Sequence, residues 1–289
     1  MSLENDVRSE GPANEEKPFL KVIVHSFFII PFLIAVFCVL LFASIHLLTS
    51  EKRSVYDYLE DIKTGGINKR WQGAFELSKI LANPKHVPDE ERFVNEMVSA
   101  FKQAEHDDAR IRQYLALAMG RSGDKRFLQP LLDNLKGNDE GTLAAVIYAL
   151  GMLQEPQSAL ALHEFLDHQS ARIRSISVVA LGNIAHPSSV GPLRRSLYDP
   201  EANVQWGAAI SLSRMGDASG SEVIAKLLDR KYLAQFSEVD TYEADQLMLT
   251  ALDSAQRLDD SALRQQIIRL STSDQNMLVR NKALEILEK

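Results

Sequence analysis

Residues 173–184 read Ile-Arg-Ser-Ile-Ser-Val-Val-Ala-Leu-Gly-Asn-Ile. Wound at 3.6 residues per turn, Ile173, Val178 and Leu181 share one face. The stretch is an amphipathic helix that ends in a turn of small residues. Near-copies of it recur at a shift of 31, and that spacing decides the fold. One column of the register holds Ile111, Thr142, Ile173 and Val204, and another holds Met119, Leu150, Leu181 and Leu212. Ala118, Ala149, Ala180 and Ser211 stand just before the second column, and Gly120, Gly151, Gly182 and Ser213 just after it. These small residues let neighbouring helices approach closely.

Each row has a second half. Leu131, Leu162, Leu193 and Ile224 align, as do Leu135, Leu166, Leu197 and Leu228 four positions on, so both columns lie on one helix face. Between the halves runs a turn with Gly123, Ala185 or Gly216, followed by Asp124, Glu155, His186 or Asp217. Pro156 and Pro187 stand where a second helix starts, a position that tolerates a missing N–H. A row is therefore two helices and a turn. One such pair cannot bury both of its faces, so the pairs must stack.

The rows resemble HEAT repeats of the short bacterial type, the phycobilisome-lyase HEAT-like repeats. The likeness rests on Ile111-Arg112 with Ala118-Met119-Gly120 and Gly123-Asp124, and on Ile173-Arg174 with Ala180-Leu181-Gly182-Asn183-Ile184. Val204 with Met215-Gly216-Asp217 continues it, and Val279-Arg280 with Ala283-Leu284 gives a terminal half-repeat. Trp71-Gln72-Gly73-Ala74 echoes Gln205-Trp206-Gly207-Ala208, so a degenerate first repeat begins near Lys69, with its second helix over 88–103. The resemblance implies an all-α fold, an α-solenoid of stacked helix pairs. It says little about function, because this repeat serves many tasks.

N-terminal to the repeats the composition changes. Residues 1–18 are polar, with Glu4, Asp6, Glu10, Glu15 and Glu16 against Arg8 and Lys17, and are expected to be a disordered tail. From Val22 to Ser50 there is no Asp, Glu, Lys or Arg. About 20 apolar residues at 1.5 Å each span a bilayer core, so residues 19–49 read as one transmembrane helix. The run is too long and starts too late for a cleaved signal peptide. His25 and His46 near its ends are read as interfacial. Residues 50–68 form a juxtamembrane connector with a short helix over 55–62, and 69–289 form the solenoid. Lys17 and Lys21 precede the apolar run, whereas Lys52, Arg53, Lys63, Lys69 and Arg70 follow it. That bias favours a cytoplasmic solenoid, with an outward-facing domain on an uncleaved signal-anchor as the alternative.

The period breaks after Leu228: Leu212 to Leu252 is 40 residues, not 31. The additional segment carries Tyr232, Phe236 and Tyr242. Insertions in repeat proteins map to loops on one face, so these three, with Arg194 and Arg195 on a second helix, are the candidate partner-binding residues. The bland alternative is a longer helix whose aromatics cover the next repeat.

Chemistry-bearing patterns are sparse. Arg112, Arg174 and Arg280 share a repeat position and read as structural, pairing with acids such as Asp108 and Asp274 rather than as an anion-binding ladder. His163-Glu164 suggests the paired His-Glu ligands of a HEAT-like di-iron hydroxylase, but one imidazole and one carboxylate do not make such a site. Asp107-Asp108, Asp139-Glu140 and Asp259-Asp260 sit at turns and read as helix caps. The single cysteine, Cys38, lies in the apolar run, leaving the repeats without disulfides or thiolate metal sites. A net charge of −7 argues against nucleic acid as a ligand. No catalytic residue, metal site or cofactor is expected. The sequence alone points to a non-catalytic, membrane-anchored scaffold that binds other proteins, an integral membrane complex foremost. The alternative is a bilin-lyase-like or other ligand-handling enzyme of the HEAT-like class.

Overall fold

The computed structural model describes residues 25–49, 53–136, 139–258 and 260–288. The expected tail, with the flanking Lys17, Lys21 and Lys52, lies outside the described residues. So does Asp259, and so do the side chains of His25 and His46. The chain separates into two compact units, Met1–Arg53 and Ser54–Lys289.

In the first unit a π-helical turn, His25–Ile29, leads into α1, Ile30–Thr49. The window Phe27–Ile45 has a mean hydropathy of 2.9, and none of it is buried. It is long and apolar enough to cross a membrane by length and composition.

Among the described residues of the second unit every regular element is a helix. The unit begins with α2, Val55–Thr64, where Ser54 accepts from the Asp57 backbone N–H and Asp57 accepts from that of Ser54. This reciprocal cap fixes the helix start. Leu59 and Ile62 of α2 are buried, so the core of this unit reaches back into the expected connector. First helices of the rows follow as α3 (Ile67–Ile80), α5 (Ala109–Ser122), α7 (Glu140–Leu153), α9 (Ala171–Ile184) and α11 (Ala202–Arg214). Second helices are α4 (Glu91–Gln103), α6 (Leu128–Leu132), α8 (Ser158–Leu162), α10 (Val190–Ser196) and α12 (Ser221–Leu227). The last four are short and carry adjoining 3-10 turns, such as Lys125–Phe127 and Pro187–Ser189 before them and His163–Asp167 after α8. Then come α13 (Arg230–Leu233), α14 (Thr241–Gln256), α15 (Ser261–Ser273) and α16 (Met277–Leu287).

First helices stack on one another in order, α3 on α5, α5 on α7, α7 on α9 and α9 on α11. The apolar columns of the 31-residue register are all buried, from Ile111, Ile173 and Leu181 at 0 % exposure to Leu197 at 9 %. The glycine column explains how close the stack is. A Cβ on Gly120 would meet the Cα of Ala149 at 2.6 Å, and one on Gly151 the Cα of Ala180 at 2.7 Å. At Gly182 it would collide with the Oγ and Cβ of Ser211. Each glycine thus receives the small residue of the next row, backbone against backbone. Ser211 adds a bond across the same seam, its Oγ donating to the Val178 carbonyl at 2.8 Å.

The turns after α5, α7, α9 and α11 are left-handed at one position: Gly123, Gln154, Ala185 and Gly216 have φ of 67°, 55°, 53° and 73°. The next residue caps the following turn in three rows, with Asp124, His186 and Asp217 accepting the backbone N–H two residues on. Asp108, Asp139 and Asp260 serve as N-caps, the role expected for the acid pairs.

The arginine column is structural, with partners that differ from those expected. Arg174 makes a two-pronged pair with Asp199 at 2.8 and 2.9 Å and donates to the His168 and Gln169 carbonyls. Arg280 donates to the Asp274 and Gln275 carbonyls, the same offsets along the chain. Arg112 stacks on Phe101 and donates to Asn134. Asp108 is taken by Arg110, two residues away on the same turn, and is not available to Arg112.

Candidate functional site

Where the register fails, a different local structure takes over. Asp229 caps α13 by accepting the Lys231 N–H, which starts a single helical turn. That turn sets Arg230 between two acids, donating to Asp274 at 2.7 and 2.8 Å and to Asp245 at 2.6 Å. Burial alone would raise Asp274. Arg230, the Asn276 backbone N–H and the Arg280 charge outweigh it and hold the carboxyl below its ordinary range. Asp245 also accepts from the Asn276 side chain. One guanidinium therefore joins α13, α14 and the turn before α16.

The same turn presents Tyr232, and Phe236 follows in the loop. Both rings meet Trp206 of α11 edge to face, at centroid distances of 6.3 and 4.9 Å, and each other at 5.2 Å. Trp206 Nε1 donates to Tyr232 Oη at 3.1 Å, so the buried indole has its polar atom satisfied. Beside this cluster, between α11 and α14, lies a groove of about 460 Å³. Trp206, Val239 and Leu247 give it apolar wall, and Glu238, Glu243 and Gln246 give it a polar rim.

The far end of α14 borders a second and larger cavity, of about 670 Å³. Both volumes fall in the range of small-ligand pockets, roughly 300–1,000 Å³. Ala255, Leu258, Ile267 and Ile286 are apolar residues of the larger cavity's lining, all nine-tenths or more buried. Exposed Arg257, at the C-terminus of α14, and exposed Arg264, in α15, line it with cations. Asp260 lines it too, but that carboxylate is engaged by the Ala262 and Leu263 N–H groups, which hold it below its ordinary range. Packing around its guanidinium, and then the charge of Arg257, push Arg214 below the ordinary arginine value, so Arg257 lies beside another cation.

The structure distributes the residues singled out in the sequence. Tyr232 and Phe236 are half-buried over Trp206, whereas Tyr242 is 70 % exposed. Arg194 is exposed and paired with Asp217; Arg195 is exposed and close enough to His163 to lower its basicity, second to burial. His163 itself shares a hydrogen bond with Ser189 Oγ at 3.1 Å. Among the described residues no group of three or more His, Cys, Asp and Glu side chains could hold a metal ion. Sequence reasoning missed the Arg257–Arg264 cavity, because its lining comes from three helices whose spacing has no periodic signature. It noted Trp206 only as an echo of Trp71.

Residues 98–176 and 159–239 match the family model for HEAT repeats. The chain contains HEAT repeats. Over 172 residues it is 25% identical to the bilin biosynthesis protein PecE of Nostoc sp. (strain PCC 7120), covering 59% of this chain and 64% of that one. PecE of Mastigocladus laminosus matches at the same identity and length, with 60% of its own chain covered. The chain thus spans less than two thirds of the length of either relative. Among solved structures, the complex of CpcE and CpcF of phycocyanin lyase from Nostoc sp. PCC7120 shares the fold. Its TM-score is 0.58 at 18% identity, covering 83% of this chain and 88% of that one.

These relatives correct two expectations drawn from the sequence. The main reading, a membrane-anchored scaffold, is overturned, because the proteins that share these repeats are named for bilin biosynthesis. The single-pass membrane location with a cytoplasmic solenoid falls with it. A helix such as Phe27–Ile45 passes a test of length and composition alone, and a signal sequence near an N-terminus passes the same test. An integral membrane complex as partner finds no support among these proteins, and neither does the expectation of a non-enzyme.

Proposed function

We propose that the chain is a bilin-handling protein of the HEAT-repeat lyase class, and that it works in complex with a second protein. The observation that carries this reading is the 172-residue match to bilin biosynthesis proteins from two organisms. The CpcE–CpcF complex supports the second chain. We assign the role to the solenoid, residues 69–289 by the register. Tyr242 and Arg195, both exposed, remain the residues of the original candidate set open to a partner.

A bilin is a conjugated chain of four pyrrole rings with apolar faces and two propionate carboxylates. The residues present fit such a molecule. The larger cavity sets two guanidinium groups, Gln256 and Ser261 over a floor of buried apolar residues, and its volume suits a small ligand. The repeats contain no cysteine, since Cys38 lies in α1, so a bilin held by the solenoid has no thiol there to which it could be bonded. The bland reading, a repeat protein that binds only protein, leaves the PecE match unused.

The test is titration of the full chain with biliverdin, followed by absorbance and induced circular dichroism. The expected result is a saturable complex whose pigment separates completely from the chain under denaturing conditions. Unchanged spectra across the titration would sink the proposal.

A further inference from the structure

Building on the bilin reading, we infer that the open cavity bordered by α14, α15 and α16 is the ligand site, with Arg257 and Arg264 as the anchors of the two propionates. Three observations converge. The apolar residues are the buried part of the lining: Leu258 is 7 % exposed, Ile267 3 %, Ile286 8 % and Ala255 3 %. The cations are the exposed part, and among the described residues no carboxylate lies within ion-pair distance of either one. The single acid in the lining, Asp260, accepts two backbone N–H groups at 2.8 and 3.1 Å, and its one negative charge is outnumbered by the two guanidinium groups.

The surroundings sharpen the preference for an anion. Arg214 reaches the same neighbourhood from α11 and hydrogen-bonds the neutral Asn183 side chain, so it brings a third positive charge and no compensating acid. Three cations against the single Asp260 carboxylate favour an anion over a neutral ligand. Guanidinium groups suit carboxylates because they offer two parallel N–H donors. The groove beside Trp206 has the opposite electrostatics. Its rim carries Glu238 and Glu243, which repel a propionate. Of the two cavities flanking α14, the basic one is matched to a molecule with an apolar body and two carboxylates.

The experiment compares biliverdin with its dimethyl ester on the full chain and on Arg257→Gln/Arg264→Gln. Both arginines are exposed, so the variant should keep the fold, and unchanged far-ultraviolet circular dichroism checks that. Losing two charge-assisted contacts should weaken biliverdin binding by about tenfold or more. The dimethyl ester should bind both proteins alike, at the weakened level, and Arg257→Lys/Arg264→Lys should restore part of the loss. Equal biliverdin affinity for wild type and the glutamine variant overturns this site and leaves the bilin reading standing. Absence of biliverdin binding to the wild type overturns both.

Discussion

Two neighbouring regions of this molecule are held together by different means. From Ala109 to Leu228 the rows repeat, and their first helices touch through glycine and alanine, with Gly120 on Ala149 and Gly151 on Ala180. From Asp229 to Gln256 the register lapses and large or charged side chains replace the small ones. Trp206, Tyr232 and Phe236 fill one gap, and Arg230 binds Asp245 and Asp274 across another. A close seam works only where every row presents the same small residue at the same height. An insertion shifts the next first helix out of reach, so bulk and charge must bridge the space. The bridging leaves grooves, and both cavities described above flank α14, the first long helix after the break.

The comparison is broken most severely at the aromatic bridge. Trp206→Ala removes a 4 % exposed indole and leaves Tyr232 and Phe236 without their common partner. Truncating a buried aromatic costs about 3–5 kcal/mol, and a thermal melt should show it as the largest loss of the series. A loss under 1 kcal/mol would mean that the insert does not rely on this cluster.

Next in size is the charged bridge. Arg230→Gln leaves Asp245 and Asp274, 9 % and 6 % exposed, without their cation. Breaking such a pair costs roughly 3 kcal/mol near pH 7. The sign of its pH dependence follows from Asp274, whose carboxyl is depressed in the folded state by Arg230. The stability it contributes is present above the ordinary aspartate value, about 3.9, and is lost as pH falls through the lower folded value. Wild type and variant should therefore differ most at neutral pH and converge in acid. Denaturant melts at several pH values check this, and a constant difference would refute the assignment.

Within the regular rows the effects are smaller. Gly151→Ala puts a methyl 2.7 Å from the Ala180 Cα, and backbone cannot yield as a side-chain tip does. The two helices must separate, at a cost of about 2 kcal/mol.

The same contrast explains what could be read from the sequence. The 31-residue register exposed the buried columns, the small-residue seam and the turn positions, because repetition makes each residue's surroundings a copy of its neighbour's. It placed Tyr232 and Phe236 in an irregular segment without showing that they fold back on Trp206, a contact 26 residues away from Tyr232. Arg257 and Arg264 were invisible as a pair, since only the junction of α14 with α15 brings them to one cavity. Function was misread for a related reason: the apolar run from Phe27 to Ile45 is the loudest signal in the chain, yet it lies in a separate unit from the HEAT repeats.

The smallest effect tests the register itself. Gly123 and Gly216 take the left-handed turn with glycine, whereas Gln154 and Ala185 take it at φ 55° and 53° with a Cβ. The left-handed conformation costs an L-residue about 1–2 kcal/mol, and Ala185→Gly removes that strain. Glycine also gives the unfolded chain more freedom, which returns roughly 0.5–1 kcal/mol of the gain. A net stabilisation of about 0.5 kcal/mol should remain, small but of definite sign. The exposed Ala185 makes no core contact that the substitution would forfeit. Ala180→Gly, five residues earlier on the same helix, supplies the control. It carries the same entropic penalty with no strain to relieve, and should destabilise. If both substitutions destabilise alike, the turn at 185 is not held to the geometry that Gly123 and Gly216 share.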